Sequence, residues 1–183
     1  MPLFNGKDTK GWRTHDKQPG DWHVEGGALT CRGRQSHLFS ERGDFEDFHL
    51  KAEVRISPGG NSGLFFRSEF GLLKWGGSGA LPLGYEVEIL PGYAGSLLDY
   101  VVPRPNPKMS MDVGVAPRGW FDLDVIADGD RVQVRVGGNT TVDCRLPPGH
   151  RRRGHFALQH FTPGARVEFR NIEIKELPPT APP

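Results

Sequence analysis

The stretch Phe121-Asp122-Leu123-Asp124-Val125-Ile126-Ala127-Asp128-Gly129-Asp130-Arg131-Val132-Gln133-Val134-Arg135-Val136 decides the fold class. Apolar and polar residues alternate on both sides of Asp128-Gly129, the two-residue period of a strand with one face buried. Asp-Gly is a strong hairpin signal, because glycine takes up the left-handed backbone that a tight turn needs. Gly137-Gly138-Asn139 turns the chain again, and Thr140-Thr141-Val142-Asp143-Cys144 follows as a short third strand.

The same pattern extends outward in both directions. Phe48, Leu50, Ala52, Val54 and Ile56 alternate with His49, Lys51, Glu53 and Arg55. Val167 to Lys175 alternates for nine residues, and Trp22-His23-Val24-Glu25, Ala28-Leu29-Thr30-Cys31 and His37-Leu38-Phe39-Ser40 read as earlier strands. No segment keeps a helical period over three turns; residues 93–100 offer room for a single helical turn. Many short strands separated by turn signals predict an all-β sandwich or jelly roll of two antiparallel sheets rather than a closed barrel.

Composition narrows the class. The 183 residues include 25 glycines and 16 prolines, rich in turns but without low complexity. This length fits a single domain, read as residues 1–177 followed by a Pro-rich tail or linker at 178–183. Lys and Arg number 23 against 22 Asp and Glu, which argues against a nucleic-acid partner. The run His150-Arg151-Arg152-Arg153 reads as a solvated loop before a strand. No apolar stretch is long enough to span a membrane. The chain opens at Met1-Pro2-Leu3-Phe4 with no leader pattern, so it is expected in the cytoplasm, or outside it if a leader has been removed. Cys31 and Cys144 could pair if their strands were neighbours, or stay as free thiols.

Three segments carry candidate chemistry. In Pro58-Gly59-Gly60-Asn61-Ser62-Gly63-Leu64-Phe65-Phe66-Arg67, glycines lead into an apolar strand from which Arg67 emerges, either toward a ligand or into an ion pair. In Gly84-Tyr85-Glu86-Val87-Glu88-Ile89, Glu86 and Glu88 share one strand face about 6.6 Å apart. Like charges that close raise one carboxyl's pKa, which suits acid–base work or a divalent cation, and equally suits a solvated outer face. In Gly154-His155-Phe156-Ala157-Leu158-Gln159-His160, His155, Ala157 and Gln159 share one face and His160 the other; His160 is a candidate metal ligand if the strand bends there, and otherwise a core histidine. Among the aromatics, Trp75 stands out. It lies in the glycine-rich Lys74-Trp75-Gly76-Gly77-Ser78-Gly79, where a flat ring is better placed at a pocket rim than in a core.

Six motifs in order then resemble one family, the 3-keto-disaccharide hydrolase domains. They are Leu3-Phe4-Asn5-Gly6-Lys7-Asp8 with Gly11-Trp12, Trp22-His23-Val24-Glu25-Gly26-Gly27, Asp47-Phe48-His49-Leu50, the Gly59 to Arg67 segment, Gly84-Tyr85-Glu86-Val87, and Leu158-Gln159 with Val167 to Ile172. They run over nearly the whole chain. The resemblance implies a concanavalin A-like jelly roll with a sugar site on its concave sheet, and cleavage of the glycosidic bond of a 3-keto glycoside or disaccharide by hydrolysis or elimination. By position it makes Glu86 and Glu88 the catalytic candidates. It makes Asn61, Arg67 and Gln159 substrate contacts, joined by Trp75 and Tyr85 as stacking faces. Glu86, Glu88 and His160 are the residues available to a divalent cation, and no organic cofactor is expected. A non-catalytic carbohydrate-binding module is the alternative on the same fold. The sequence departs from the family where His160 directly follows Gln159, and at Pro117-Arg118-Gly119-Trp120-Phe121. A Glu-x-Glu pair with Leu90 next lacks the third carboxylate of retaining glucanases of this fold, which disfavours that chemistry.

Overall fold

Burial follows the alternation strand by strand. The computed structural model describes residues 1–74, 80–101, 108–110 and 118–178, with 108–110 as backbone only. In chain order the strands are β1 (Trp12–Thr14), β2 (His23–Glu25), β3 (Ala28–Cys31), β4 (Ser36–Ser40), β5 (Phe48–Ile56), β6 (Ser62–Ser68), β7 (Leu73–Lys74), β8 (Ala80–Leu81), β9 (Tyr85–Ile89), β10 (Leu97–Asp99), β11 (Lys108–Ser110), β12 (Phe121–Asp128), β13 (Arg131–Val136), β14 (Asn139–Arg145), β15 (His155–His160) and β16 (Val167–Glu176).

One seven-stranded sheet runs β1-β4-β15-β6-β9-β10-β11, and a second runs β14-β13-β12-β5-β16-β3-β2. The described pairings are antiparallel, and β7 pairs with β8 as a separate small hairpin. No helix is present among the described residues; the turn expected at 93–100 is instead a loop, closed by Tyr93 N–H donating to Leu90 O, that leads into β10. No helix among these residues is long and apolar enough to cross a membrane.

The two sheets pack face to face. Leu50, Ala52, Val54, Leu123, Val125, Val132 and Val134 of the second sheet meet Leu64, Phe66, Tyr85, Val87, Phe156 and Leu158 of the first in one core. The first sheet's other face carries a second apolar cluster of Phe39, Phe65, Leu81, Leu98, Tyr100 and Ala157. Leu81 belongs to the β7–β8 hairpin, so that hairpin packs over this second face. β6 is consequently buried at every position, on both of its sides.

Two irregularities matter. Between β15 and β6 the register slips, so that β6 carries one extra residue between Phe65 and Ser68. Arg67 takes a φ of 47° there, and a Cβ on the facing Gly154 would lie 2.4 Å from the Arg67 carbonyl carbon. Such a bulge re-aims a side chain, and Arg67 turns inward. The second irregularity lies between Arg170 and Glu173 of β16, where Asn171 has a φ of 49°.

Cys31 and Cys144 do not pair. β3 and β14 are separated by four intervening strands, roughly 24 Å at normal strand spacing. Cys31 is buried with its thiol donating to Asp21 Oδ1 at 2.9 Å, and burial pushes its pKa up to about 12. Of the expected tail, residues 179–183 lie outside the described residues.

Candidate active site

Strand register assembles the site from distant segments. Across the first sheet one row runs His37, Gln159, Gly63, Glu88, each residue opposite the next. The neighbouring row runs Phe39, Ala157, Phe65, Glu86, Leu98. All nine belong to the face turned away from the sandwich core, beneath the β7–β8 hairpin.

Glu86 and Gln159 stand in different rows and on different strands, with β6 between them. Gly63 is what lets them meet. A Cβ at Gly63 would lie 2.0 Å from Glu86 Oε1, so the Glu86 side chain occupies the space a side chain there would fill. The Gln159 amide and the Tyr100 hydroxyl come near enough to the Glu86 carboxyl to favour its charged form. Glu86 is 2% exposed.

Burial dominates the electrostatics. It drives the Glu86 carboxyl well above its ordinary pKa, and repulsion from Glu88 adds to this; the hydrogen bonds from Tyr100 and Gln159 only partly oppose it. Glu88 is less enclosed, and burial raises it from 4.5 to about 7. The Tyr100 phenol is raised by burial and by the two carboxyls. Both shifts favour the protonated carboxyl, most strongly at the more deeply enclosed Glu86. One oxygen of each, Glu86 Oε1 and Glu88 Oε1, is buried without a hydrogen-bond partner. A proton or a cation would answer that deficit. Among the described residues no group of three His, Cys, Asp or Glu side chains converges as a metal site.

His37 belongs to this face and was not legible as a site residue. It is fully buried, and burial takes its pKa down to about 3, so the imidazole is neutral. It touches Gln18 Oε1 through Nδ1 at 2.7 Å and Gln159 Nε2 through Nε2 at 3.4 Å. The signal for it is register alone: His37 and Gln159 are 122 residues apart and directly opposed. Phe39, Phe65 and Tyr100, which wall the same face, come from three different strands or loops in the same way.

The structure moves three expected site residues elsewhere. Arg67 is fully buried, donating to Glu46 O at 3.0 Å and pairing with Asp47 Oδ1 at 3.0 Å. It faces the start of β5 because the bulge turns it inward, and so it is a structural ion pair rather than a substrate contact. Tyr85 is 1% exposed on the core side of β9, where it packs 5.4 Å from Phe66 and its hydroxyl accepts from Arg151 N–H at 3.3 Å. It offers no face to a ligand. His160 lies on the core side of β15, the opposite face from Glu86 and Glu88, with its ring nitrogens 3.2 Å from Arg34 O and 2.9 Å from Ala165 O. The strand does not bend as a shared metal site would require.

Asn61 directly precedes β6, two residues before Gly63 along the chain. Its backbone is pinned there by Thr162 Oγ1 at 3.0 Å and by Phe161 N–H at 3.1 Å. Trp75 lies outside the described residues.

The outer face of the second sheet also has a hollow, of about 410 Å³, lined by Lys51, Glu53, Asp122, Asp124 and Asn171 among others. Two of its acids are engaged: Glu53 accepts from Arg170 Nε and Asp124 from His49 Nε2. Nearby, Trp120 is held between the Arg55 and Arg170 guanidinium groups, 4.7 and 4.1 Å from the ring centre. The residue therefore braces that outer face.

Several known proteins share this fold. A protein from Parabacteroides distasonis, provisionally named a glycosyl hydrolase, superposes with a TM-score of 0.68 at 20% identity, over 96% of this chain and 93% of that one. A carbohydrate-binding module of Bacillus subtilis gives 0.64 at 17% identity over 90% and 95%. A legume lectin-like domain of Entamoeba histolytica gives 0.66 at 12% identity over 92% and 91%. These likenesses show the lectin-like jelly-roll fold. A 3-keto-disaccharide hydrolase of Bacteroides thetaiotaomicron is 32% identical over 81 residues, 38% of this chain and 27% of the relative, so the match spans about a quarter of that protein. The model of the 3-keto-alpha-glucoside-1,2-lyase-like domain matches residues 1–175, and on that extent the chain belongs to this family.

Proposed function

We propose that this domain is carbohydrate-active and cleaves the glycosidic bond of 3-keto glycosides by elimination, with Glu88 as base and Glu86 as acid. The observation that carries the reading is the pair itself: two buried carboxyls on one strand face, both pushed toward their protonated forms, Glu88 to about 7 and Glu86 well above its ordinary value.

The chemistry suits such a pair. A ketone at C3 acidifies the hydrogen on C2. The Glu88 carboxylate takes that hydrogen as a proton, the electron pair closes a C1–C2 double bond, and the C1–O bond breaks. The departing oxygen takes the proton of Glu86. Glu88 gains one proton and Glu86 loses one, so the pair begins and ends with a single proton, and transfer between the two resets it. Base and acid pKa values split by environment are the usual arrangement for this division of labour. Subsequent addition of water to the double bond would make the net reaction a hydrolysis.

Gln159 and Asn61 serve substrate hydroxyls in this reading. A divalent cation at the pair would draw its remaining ligands from water and sugar oxygens. A proton on either carboxyl would relieve the repulsion between them, so turnover is expected to survive chelation.

The test is release of nitrophenol from a nitrophenyl 3-keto-glucoside. Glu88→Gln is expected to lower kcat at least a hundredfold, in the range that general-base removal commonly costs. Wild-type kcat is expected to rise with pH through about 7 as Glu88 loses its proton. Unchanged turnover in the variant would remove Glu88 from the mechanism. Saturable glycoside binding without turnover in the wild type would replace the reading with a carbohydrate-binding module.

A further inference from the structure

We infer that His37 and Gln18 are positioning residues of this site, joined in a chain of hydrogen bonds that fixes which way round the Gln159 amide faces Glu86. The catalytic consequence rests on the reading just given; the chain itself rests on geometry.

The chain begins at a group with one possible role. The backbone carbonyl of Ala80, in the β7–β8 hairpin, can only accept. Gln18 Nε2 donates to it at 2.9 Å. The Gln18 amide is thereby oriented, and its Oε1 lies 2.7 Å from His37 Nδ1. An amide oxygen can only accept, so Nδ1 carries the hydrogen.

His37 is fully enclosed, and burial keeps it neutral. Its other nitrogen, Nε2, is then a bare lone pair. Gln159 Nε2 lies 3.4 Å from that lone pair, the longest link of the chain. The contact holds only if the nitrogen end of Gln159 is turned that way. The same amide lies beside the Glu86 carboxyl and favours its charged form. The flipped amide would set its oxygen against the His37 lone pair, a repulsive contact in a buried site.

A carbonyl on the covering hairpin therefore decides, through Gln18 and His37, what Glu86 meets. His37 itself has no proton to give toward Glu86 and lies behind Gln159. It is a positioning residue rather than the base that a histidine on this face suggests.

Two measurements on the full chain test this. In protein labelled with ¹⁵N-histidine, His37 is expected to show a protonated Nδ1 and an unprotonated Nε2 from pH 5 to 9. In Gln18→Leu, at a partly exposed position, that tautomer is expected to lose its dominance. In turnover of the nitrophenyl 3-keto-glucoside, Gln18→Leu and His37→Leu are expected to lower kcat about tenfold with KM within twofold, the scale on which outer partners of a reactive group act. His37→Gln should recover most of that loss, because its amide can donate to Gln18 and accept from Gln159. An Nε2-protonated His37 in the wild type, wild-type kcat in Gln18→Leu, or a His37→Gln variant as slow as Gln18→Leu would each overturn the inference. The tautomer is read without substrate. A folded wild type that shows the expected tautomer but turns over no 3-keto glycoside would defeat the proposed function and leave the chain standing.

Discussion

Gly63 shows how much one missing side chain can do. Its place in the sheet is ordinary strand, and a Cβ there would fall 2.0 Å from the Glu86 carboxyl oxygen. The glycine is required for space, since it opens a diagonal path across β6 from Glu86 to Gln159. Gly63→Ala should therefore push Glu86 out of reach of Gln159 and Tyr100. The expected cost is about 1–3 kcal/mol in stability from overpacking, with kcat on a 3-keto glycoside falling at least tenfold. Denaturant titration and steady-state turnover check the two halves separately. His37 and Tyr100 escape a reading of the chain for a related reason. Nothing local marks them, and only pairing between segments far apart in sequence brings them to the carboxyls.

At the scale of elements, legibility tracks how many faces of a strand are buried. β5, β12, β13 and β16 cover the core with one face and show the other to solvent, at least in part, and their alternation is plain in the sequence. β6 is buried on both sides, so its residues read as an undivided apolar run and give no hint of which way Arg67 points. The bulge that decides this is a matter of register with β15 and leaves no mark on β6 itself. Glu86 and Glu88 were visible as a pair from spacing alone, whereas their burial was not, because nothing in the local pattern says that the preceding hairpin folds back over that face. Arg67 is expected to matter to the element and not to the chemistry. Arg67→Met would strip Asp47 of a buried partner and should cost roughly 3–5 kcal/mol of unfolding free energy. Turnover per folded molecule should stay close to wild type. A large loss of kcat with stability retained would return Arg67 to the substrate.

For the whole molecule, the buried carboxyls set how stability responds to pH. Glu88 holds its proton up to about pH 7 in the folded chain, against an ordinary 4.5. Between those values the folded state binds more protons than the unfolded state. The stability this group confers is therefore complete below pH 4.5 and drains away as pH rises through about 7. The slope is at most about 1.4 kcal/mol per pH unit for one group, and Glu86, raised further, continues the trend upward. Glu88→Gln should flatten this decline and leave the variant more stable than wild type at pH 8, by about 1–3 kcal/mol. Thermal or denaturant unfolding across pH 5 to 8 checks it. A site that stabilises the fold on losing a carboxylate is one whose charge is retained for reasons other than folding.

Asp47 has a consequence of a different kind. Its Oδ1 receives Arg67 from the first sheet and the backbone N–H of Gly129, at 3.0 Å, from the hairpin turn of the second. Turn amides ordinarily exchange their hydrogens with solvent in brief local openings. The Gly129 amide is clamped inside the sandwich by a carboxylate that also bridges the sheets. Its deuterium uptake should thus wait for the sheets to part, so that a residue in a hairpin turn keeps time with the unfolding of the whole molecule.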